Sequence, residues 1–364
     1  MDRTELITAP DQNAIFAARE QWRRIAKPVG SLGVFEDMVV KIAGIQGGEP
    51  HMDRRCAVIM CADCGAVEEN ITQSGQEVTS KVARSIAEGG SNVNILAHCV
   101  NADVFAVDVG INGITPTGVI NRKVMHGTRN MTKTAAMSKE QAVSAVTAGI
   151  DTVRELKDRY DIIAVGEMGI GNTSAAAAVT CALTGRPPAE MTGRGAGADD
   201  DMLRRKIGAV GRALEINRPD PNDPTDVLAK VGGLDICGMT GLFLGGAVYK
   251  VPVVIDGVVS ATAASCAYLT DKRTADYMLP SHMSAEKASA ALFDIMGLEP
   301  PIRAGMRLGE GTGALMLLPL IDQALALYRS AHTFESLDME RYKMSVSSIT
   351  NAIFAKRIPI SGSY

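Results

Sequence analysis

The 364-residue sequence has few aromatic side chains, little charge asymmetry and no long uncharged apolar run. Aromatic residues make up 4% of the chain, which is too few for a surface that stacks nucleic-acid bases. A formal net charge of −4 gives no field that attracts a polyanion, so we expect no nucleic-acid partner. The chain does have 46% hydrophobic and only 21% charged residues, which indicates a globular protein with a large core.

The N-terminus lacks the basic and then apolar order of an export signal. The most hydrophobic segment, residues 231–269, is interrupted by Asp235, Lys250 and Asp256 and by many glycines. This segment therefore predicts buried strands and helices instead of a membrane span. We expect a cytoplasmic enzyme with no membrane partner.

The seven cysteines are expected to be reduced thiols, because nothing in the sequence points to an oxidising compartment. Cys61 and Cys64 form a C-x2-C pair that is able to bind zinc, and Cys56, His98 and Cys99 are conceivable further ligands. No second such pair completes a four-ligand set, and Cys61 falls inside an apolar strand pattern. We predict no metal site and keep a zinc-binding protein as an alternative.

Short apolar runs rich in β-branched residues alternate with alanine-rich helical segments, which is typical of parallel strands joined by crossover helices. The strand candidates are residues 57–60, 104–107, 162–165 and 251–255. The acids that end them are Asp63, Asp108, Glu167 and Asp256. Any single strand-end acid often only caps the next helix. Four in one sheet predict a polar, hydroxyl-rich ligand, because ligands of open α/β sheets bind outside the carboxyl ends of the strands.

The predicted fold class is α/β, with a doubly wound, mostly parallel sheet. Both chain ends have a helical pattern, the first 50 residues on either side of a break at Lys27–Gly33 and the last from about Ile321 onward. We expect residues 1–50 and 321–364 to form a small helical domain beside a catalytic domain of residues 51–320. A capping box at Ser138–Gln141 predicts the start of another helix.

Glu310 lies between glycines in the segment Leu308–Gly313, directly ahead of an apolar run. The small neighbours let a ligand approach the carboxylate closely, which suits a general base. The alternative is a loop glutamate beside a helix N-terminus, where the helix dipole favours negative charge.

A glycine loop at residues 166–174 follows a predicted strand and opens an alanine-rich helix. Its backbone N–H groups and helix N-terminus suit a phosphate, and the alternative is a plain tight turn. A second glycine loop at residues 193–201 leads to the cations of Arg204–Lys206, one of which could complete a phosphate clamp. The acids Asp199–Asp201 could instead hold Mg²⁺ with a substrate phosphate.

The order of these glycine-rich segments resembles one family along nearly the whole chain, the nicotinate-nucleotide:dimethylbenzimidazole phosphoribosyltransferases. The segments that carry the resemblance are Lys27–Gly33, Gly127–Asn130, Gly166–Ser174, Gly193–Asp200, Gly232–Ile236, Val253–Gly257, Ser281–Ser284 and Leu308–Gly313. The resemblance implies a Rossmann-like large domain, a small helical domain, a dimer, and no metal or redox cofactor. It also implies phosphoribosyl transfer from nicotinate mononucleotide to an aromatic acceptor in cobamide (vitamin B12-type) assembly, with release of nicotinate.

The resemblance assigns roles to individual residues. Glu310 matches the general base of the family, and Glu167 matches the acid that holds the ribose of nicotinate mononucleotide. The residues that match the phosphate-binding elements are Gly169, Ile170, Gly171, Asn172, Gly195 and Lys206. Asp256 and Ser284 are assigned as further contacts to the same substrate.

The sequence departs from the family at the acceptor pocket, where a family segment reads approximately Asp-His-Gly and then Ser-x-Tyr-Pro. Cys64 stands in place of the histidine, and Ser74 with Gly75 stands in place of Tyr-Pro. The residues we assign to this pocket are Asp63, Cys64, Thr72, Ser74, Gln76 and Leu308. A smaller, less aromatic wall is expected to hold a benzimidazole poorly, because ring contacts are lost.

We therefore expect a phenol or p-cresol acceptor as an alternative to dimethylbenzimidazole. Phenol-activating members of the family act as pairs of homologous subunits, so the expected dimer is either homomeric or formed with a paralogue. Two further hypotheses are a non-catalytic subunit that supports an active paralogue, and an unrelated nucleotide-binding α/β enzyme.

Overall fold

The structure is a computed structural model in which residues 3–342 are described. Its six strands are β1 (Arg55–Ala62), β2 (Ala102–Gly110), β3 (Ile120–Asn121), β4 (Ile162–Met168), β5 (Val253–Ile255) and β6 (Met278–Pro280). Its α-helices are α1 (Gln12–Arg24), α2 (Val34–Gln46), α3 (Glu77–Ala87), α4 (Asn92–Cys99), α5 (Lys139–Leu156), α6 (Asn172–Thr184), α7 (Pro188–Met191), α8 (Asp200–Asn217), α9 (Pro224–Val231), α10 (Leu234–Tyr249), α11 (Val258–Thr270), α12 (Ser289–Met296) and α13 (Thr312–Ser330). Short 3-10 helices cover Arg3–Leu6, Gly65–Glu69, Lys272–Tyr277 and Glu335–Leu337.

The strands form one parallel sheet in the order β3-β2-β1-β4-β5-β6. This confirms the predicted α/β class with a doubly wound sheet. The chain builds outward from β1 in one direction and then, from β4, in the other, so β1 and β4 meet at the topological switch point. Met60 pairs with Glu167 there, which places the ends of both strands side by side. A ligand crevice is expected outside those ends.

Successive residues of β1 belong to the hydrophobic cores on opposite faces of the sheet. Cys56, Val58 and Met60 pack with α5, α6, α10 and α11 on one face. Ala57 and Ile59 pack with α2, α4 and α13 on the other. Because both faces are covered, β1 is apolar at nearly every position and does not alternate with polar residues.

All four predicted strands are present, but the prediction missed the edge strands β3 and β6. These strands have two and three residues, which is too short to show a periodic pattern. The fourth predicted strand begins at Val253, two residues later than expected. Pro252 has no N–H to donate to a neighbouring strand, although its carbonyl accepts a hydrogen bond of 3.0 Å from the Ile163 amide.

Helices from both ends of the described residues lie together on one face of the sheet. Helices α1 and α2 flank the break at Lys27–Gly33, and α13 begins at Thr312, ahead of the predicted boundary at residue 321. Trp22 of α1 packs edge-to-face on Tyr328 of α13, with ring centroids 5.1 Å apart. The division into two domains stays a prediction, and its segment 343–364 lies outside the described residues. No helix in residues 3–342 has both the length and the hydropathy for a membrane span.

Helix α5 begins at the predicted capping box and packs very closely on α10. The Ser138 hydroxyl accepts a hydrogen bond of 3.2 Å from the Gln141 amide, and the Gln141 side chain accepts one of 2.9 Å from the Ser138 amide. A Cβ on Gly241 would lie 2.0 Å from the Val146 carbonyl oxygen. Glycine at position 241 is therefore required for the approach of the two backbones.

Replacing Gly241 with alanine is expected to lower the free energy of unfolding by about 1–3 kcal/mol, because the added methyl forces α5 and α10 apart. Gly211→Ala in α8 is the matched control, since a Cβ there meets nothing within 4 Å. The control is expected to be neutral or to stabilise by about 0.5–1 kcal/mol. Urea unfolding measures both variants, and equal stability of the two would contradict this account of the helix contact.

Candidate active site

Glu310 lies on a tight loop that packs directly against the end of β4. Gly309, Glu310 and Gly311 all have left-handed backbones, with φ of 88°, 58° and 77°. A non-glycine residue in this conformation costs about 1–2 kcal/mol, so the surrounding contacts must hold Glu310 in place. A Cβ on Gly166 would lie 2.6 Å from the Gly311 nitrogen, so backbone meets backbone here.

Asp256, which follows β5, is hydrogen-bonded to the end of that loop and to the first residues of α13. Its Oδ1 accepts hydrogen bonds from the amides of Gly313 (2.7 Å) and Ala314 (3.1 Å), and its Oδ2 accepts one from Gly311 (3.2 Å). Both oxygens thus cap the N-terminus of α13. Burial raises the pKa of Asp256, and His282 and then the amide donors act against that rise. The sequence assigns Asp256 to substrate, whereas the structure places its carboxylate on the loop that carries Glu310.

The Glu310 carboxylate contacts the N-terminus of α4. Its Oε1 accepts a hydrogen bond of 3.2 Å from the Asn92 side-chain amide, and its Oε2 accepts one of 3.3 Å from the Val93 backbone N–H. The Glu310 carboxylate therefore lies beside a helix N-terminus, as the alternative describes. Its role as a general base stays a prediction.

Glu167 forms a carboxylate pair with Asp235 through a shared amide. The Asn172 side-chain N–H groups donate to Glu167 and, over 2.9 Å, to Asp235. Burial raises the pKa of Glu167 to about 8, helped by the negative charge of Asp235, and burial raises the pKa of Asp235 to about 6. Glu167 therefore carries a proton at neutral pH in the unliganded protein.

Asp235 is a site residue that the sequence analysis missed. It is fully buried, and its Oδ1 has no hydrogen-bond partner among the described residues. The available signal was its position: an acid at the start of an otherwise apolar helix, inside the segment Gly232–Ile236. A buried polar atom without a partner indicates that a ligand or water completes the site.

The two glycine loops meet at the N-terminus of α6. The Lys206 ammonium donates a hydrogen bond of 3.0 Å to the Thr173 hydroxyl, and a Cβ on Gly195 would lie 3.0 Å from the same ammonium nitrogen. Gly171, with φ of 95°, makes the turn into the helix. Lys206 is buried, and that burial lowers its pKa. A helix N-terminus beside a buried cation has the composition of a phosphate site.

Ile170 and Gly169 connect this loop to β1 and the segment after it. The Ile170 amide donates to the Thr79 hydroxyl over 3.1 Å, and its carbonyl accepts from the Cys64 amide over 3.4 Å. A Cβ on Gly169 would lie 2.3 Å from the Ala62 carbonyl oxygen. The Ile170 amide is thus already used inside the protein.

Ser284 belongs to the wall between the second glycine loop and the Glu310 loop. Its hydroxyl donates to the Met306 carbonyl over 3.3 Å and accepts from the Glu286 amide over 3.3 Å. The Glu286 carboxylate in turn accepts from the Gly195 amide over 3.0 Å. These bonds tie the two loops together.

Three of the predicted acceptor residues are joined by hydrogen bonds in a corner where Asp63 and Cys64 are buried and Gln76 is half-buried. Asp63 accepts a hydrogen bond of 2.8 Å from the Asn112 amide, and the Asn112 side chain donates to Gln76 over 2.8 Å. Gln76 donates to the Cys64 carbonyl over 3.1 Å. Burial raises the pKa of Asp63, whose Oδ1 has no partner among the described residues.

The other three predicted acceptor residues lie at the rim. Thr72 donates a hydrogen bond of 2.9 Å to the Ser74 carbonyl in a surface turn. Leu308 is 57% exposed on the loop that carries Glu310. An exposed leucine beside the crevice is available for contact with an apolar ring.

The residues of the metal alternatives are engaged elsewhere. Asp199 caps α8 by accepting from the Met202 amide over 2.7 Å, and Asp200 and Asp201 pair with arginines. Cys61 and Cys64 belong to the cores on opposite faces of the sheet, and burial raises the pKa of both thiols. Within residues 3–342 no group of three His, Cys, Asp or Glu side chains is arranged to hold a metal ion.

Residues 7–338 match a family model described as phosphoribosyltransferase. The chain belongs to this family. It is similar to the nicotinate-nucleotide–dimethylbenzimidazole phosphoribosyltransferases of Acetivibrio thermocellus (42% identity over 88% of this chain and 93% of the relative) and Ruminiclostridium cellulolyticum (43% over 90% and 94%). The crystal structure of CobT from Thermus thermophilus superposes with a TM-score of 0.85 at 34% identity, covering 91% of this chain and all of that one.

The comparisons confirm the family predicted from the sequence and an enzyme that transfers a phosphoribosyl group, a pentosyltransferase. A phosphoribosyl group needs an anion site for its phosphate and polar partners for its ribose hydroxyls. In this phosphoribosyltransferase, Lys206 and the N-terminus of α6 have the positive charge and the N–H groups of an anion site. Glu167 and Asp235 are polar groups that can hydrogen-bond to hydroxyls.

The pKa of Glu167 leads to a pH-dependent difference in stability. A carboxyl whose folded-state pKa is raised to about 8 from 4.5 contributes stability that is present below pH 4.5 and lost as the pH rises through 8. Glu167→Gln removes this loss. The variant is therefore expected to gain roughly 4 kcal/mol relative to the unaltered protein between pH 5 and pH 9.

Thermal unfolding across that pH range measures the difference. Glu140→Gln is the control, and it is expected to lower the stability. A hydrogen bond from Ser138 lowers the pKa of Glu140, so its carboxylate stabilises the fold above pH 4.5. A Glu167→Gln difference that does not change with pH would show that Glu167 is ionised throughout.

Proposed function

We propose that this chain transfers the phosphoribosyl group of nicotinate mononucleotide to an aromatic acceptor, releasing nicotinate and forming an α-ribotide phosphate for cobamide assembly. The observation that carries the proposal is that two acids, Glu167 at the end of β4 and Glu310 on the loop before α13, lie close together. A Cβ on Gly309, the residue before Glu310, would lie 2.6 Å from the Glu167 carboxylate. An acid for the ribose and a base for the acceptor therefore face one crevice.

The substrate phosphate binds at the N-terminus of α6 beside Lys206, which sets the position of the ribose. The protonated Glu167 donates a hydrogen bond to a ribose hydroxyl. The acceptor lone pair attacks C1′ from the face opposite nicotinate, and the electron pair of the breaking C1′–N bond returns to the positively charged ring nitrogen. Nicotinate therefore leaves with its ring neutral. Alignment of the two reactants supplies up to about 7–11 kcal/mol.

Glu310 accepts the proton that the acceptor loses when its bond to C1′ forms. General-base catalysis of this kind supplies about 10²–10⁴-fold in rate. The loop glycines leave the carboxylate accessible, and the hydrogen bonds from α4 leave each oxygen a further lone pair. Removal of that proton completes the transfer.

The acceptor named for the relatives is dimethylbenzimidazole. Phenol or p-cresol is the second candidate because of Cys64 and the exposed turn at Ser74, where this sequence lacks the ring side chains of the family segment. A Cβ on Gly233 would lie 3.5 Å from the Cys64 sulfur, so the thiol fills a narrow space between loops. A phenol attacks through oxygen, and its proton reaches Glu310 directly or through one water.

We propose that the enzyme acts as a dimer, either with a second copy or with a homologous subunit. The alternative of a non-catalytic subunit is disfavoured by the intact donor half of the site. The residues that match the base, the ribose acid and the phosphate-binding lysine of the family, Glu310, Glu167 and Lys206, are all present, and each has a hydrogen-bond partner.

Nicotinate release by the purified chain tests the function. The chain is given nicotinate mononucleotide with dimethylbenzimidazole, phenol or p-cresol in separate reactions, with and without a homologous subunit. Release with phenol ties the Cys64 and Ser74 departures to acceptor choice, whereas release only with dimethylbenzimidazole shows that those departures are neutral. Release under no condition would favour the non-catalytic subunit.

Glu310→Gln is expected to keep nicotinate mononucleotide binding while turnover falls at least about 100-fold, because the amide cannot take the proton. Calorimetric titration measures binding, and nicotinate release measures turnover. Glu215→Gln, an exposed site on α8, is the control and is expected to leave both unchanged. Unaltered turnover of the Glu310→Gln variant would remove Glu310 from this role.

A further inference from the structure

Two structural elements fix Glu310, and they act on different parts of the residue. Asp256 and the flanking glycines fix its backbone. Its side chain still has three rotatable bonds, and within residues 3–342 the hydrogen bonds to its carboxylate come from α4, through Asn92 and Val93. The direction of the carboxylate therefore depends on the start of α4.

Helix α4 does not need Asn92 for its own cap. Ser91 and Asn94 supply the capping contacts: the Ser91 hydroxyl donates to the Asn94 side-chain oxygen over 2.6 Å, and the Ser91 amide donates to it over 3.2 Å. The Asn92 side chain is exposed and instead reaches Glu310, 218 residues away in the sequence. Its contact with Glu310 is thus separable from the folding of the helix.

We propose that Asn92 is a positioning residue that, with the Val93 N–H, orients the Glu310 carboxylate toward the acceptor. This inference rests on the proposed role of Glu310 as the base. One donor on each oxygen fixes the plane of the carboxylate and leaves each oxygen a free lone pair for the incoming proton. Without the Asn92 amide one oxygen loses its donor, and the side chain populates orientations that do not face the acceptor.

The same contacts stabilise the carboxylate as an anion. Glu167 at the end of β4 carries a proton at neutral pH, and the Asp256 carboxylate after β5 is hydrogen-bonded to the amides at the start of α13. A hydrogen bond donated to a carboxylate favours its charged form. Loss of the Asn92 donor is therefore expected to move the acid limb of the kcat–pH profile to higher pH, and an acid at position 92 is expected to move it further.

The test compares Asn92→Ala and Asn92→Asp with the unaltered enzyme in nicotinate release, using nicotinate mononucleotide and the acceptor that gives the higher turnover. We expect kcat to fall about three- to tenfold in Asn92→Ala, the loss of one charge-assisted hydrogen bond. The KM for nicotinate mononucleotide is expected to stay unchanged, because Asn92 is not part of the donor site. The acid limb is expected to shift in the order unaltered, Asn92→Ala, Asn92→Asp.

Ser91→Ala is the matched control, because it weakens the cap of α4 but keeps the Asn92 amide. It is expected to lower the melting temperature without moving the acid limb. Asn92 variants that keep kcat and the acid limb of the unaltered enzyme would overturn this inference alone. An acid limb that moves equally in Ser91→Ala would also overturn it, by assigning the effect to the helix. Absence of transfer by the unaltered enzyme would overturn the proposed function and this inference with it.

Discussion

The cap that Asp256 places on α13 is the interaction on which the geometry of the active site depends. One buried carboxylate gathers three amides from the segment Gly311–Ala314 and joins the end of β5 to the start of a 19-residue helix. Because Asp256 follows β5 and Gly166 belongs to β4 of the same sheet, the cap also holds the Glu310 loop against the Gly166 backbone. The left-handed backbone at Glu310 is sustained by this contact. The loop that carries Glu310 is in this way fixed to the sheet.

The carboxyl edge of the sheet brings buried acids together. Glu167 and Asp235 share the amide of Asn172, and burial, together with the negative charge of Asp235, keeps a proton on Glu167 at neutral pH. Lys206 lies at the N-terminus of α6. This edge of the sheet therefore has a buried cation at the start of α6 and an acidic pair at Glu167 and Asp235, which we propose bind the phosphate and the ribose of the substrate. Because Glu167 is neutral, it does not repel the Asp235 carboxylate in the unliganded protein.

The sequence predicts those parts of the protein that depend on local pattern. The strands near residues 57–60 and 162–165 and the loops at residues 166–174 and 193–201 follow from apolar runs and glycine spacing, and the structure has them. The edge strand β6 escapes prediction because three residues carry no period. The capping role of Asp256 cannot be predicted for another reason. The sequence shows an acid at the end of a strand, but it does not show which amides bind its two oxygens. The contact of Asn92 with Glu310 joins residues 218 positions apart, and no local signal marks it.

The residues that we propose bind the donor and those that we propose bind the acceptor differ in burial, and this difference bears on acceptor choice. The donor half consists of backbone turns, a buried lysine and buried acids that hold one another, so a substitution there disturbs several partners at once. The acceptor half combines the buried corner of Asp63 and Cys64 with exposed side chains at Ser74 and Leu308. Exposed side chains tolerate replacement because few neighbours depend on them. If the proposed function holds, a change of acceptor requires changes only at these exposed positions and at Cys64, while Lys206 and Glu310 stay as they are.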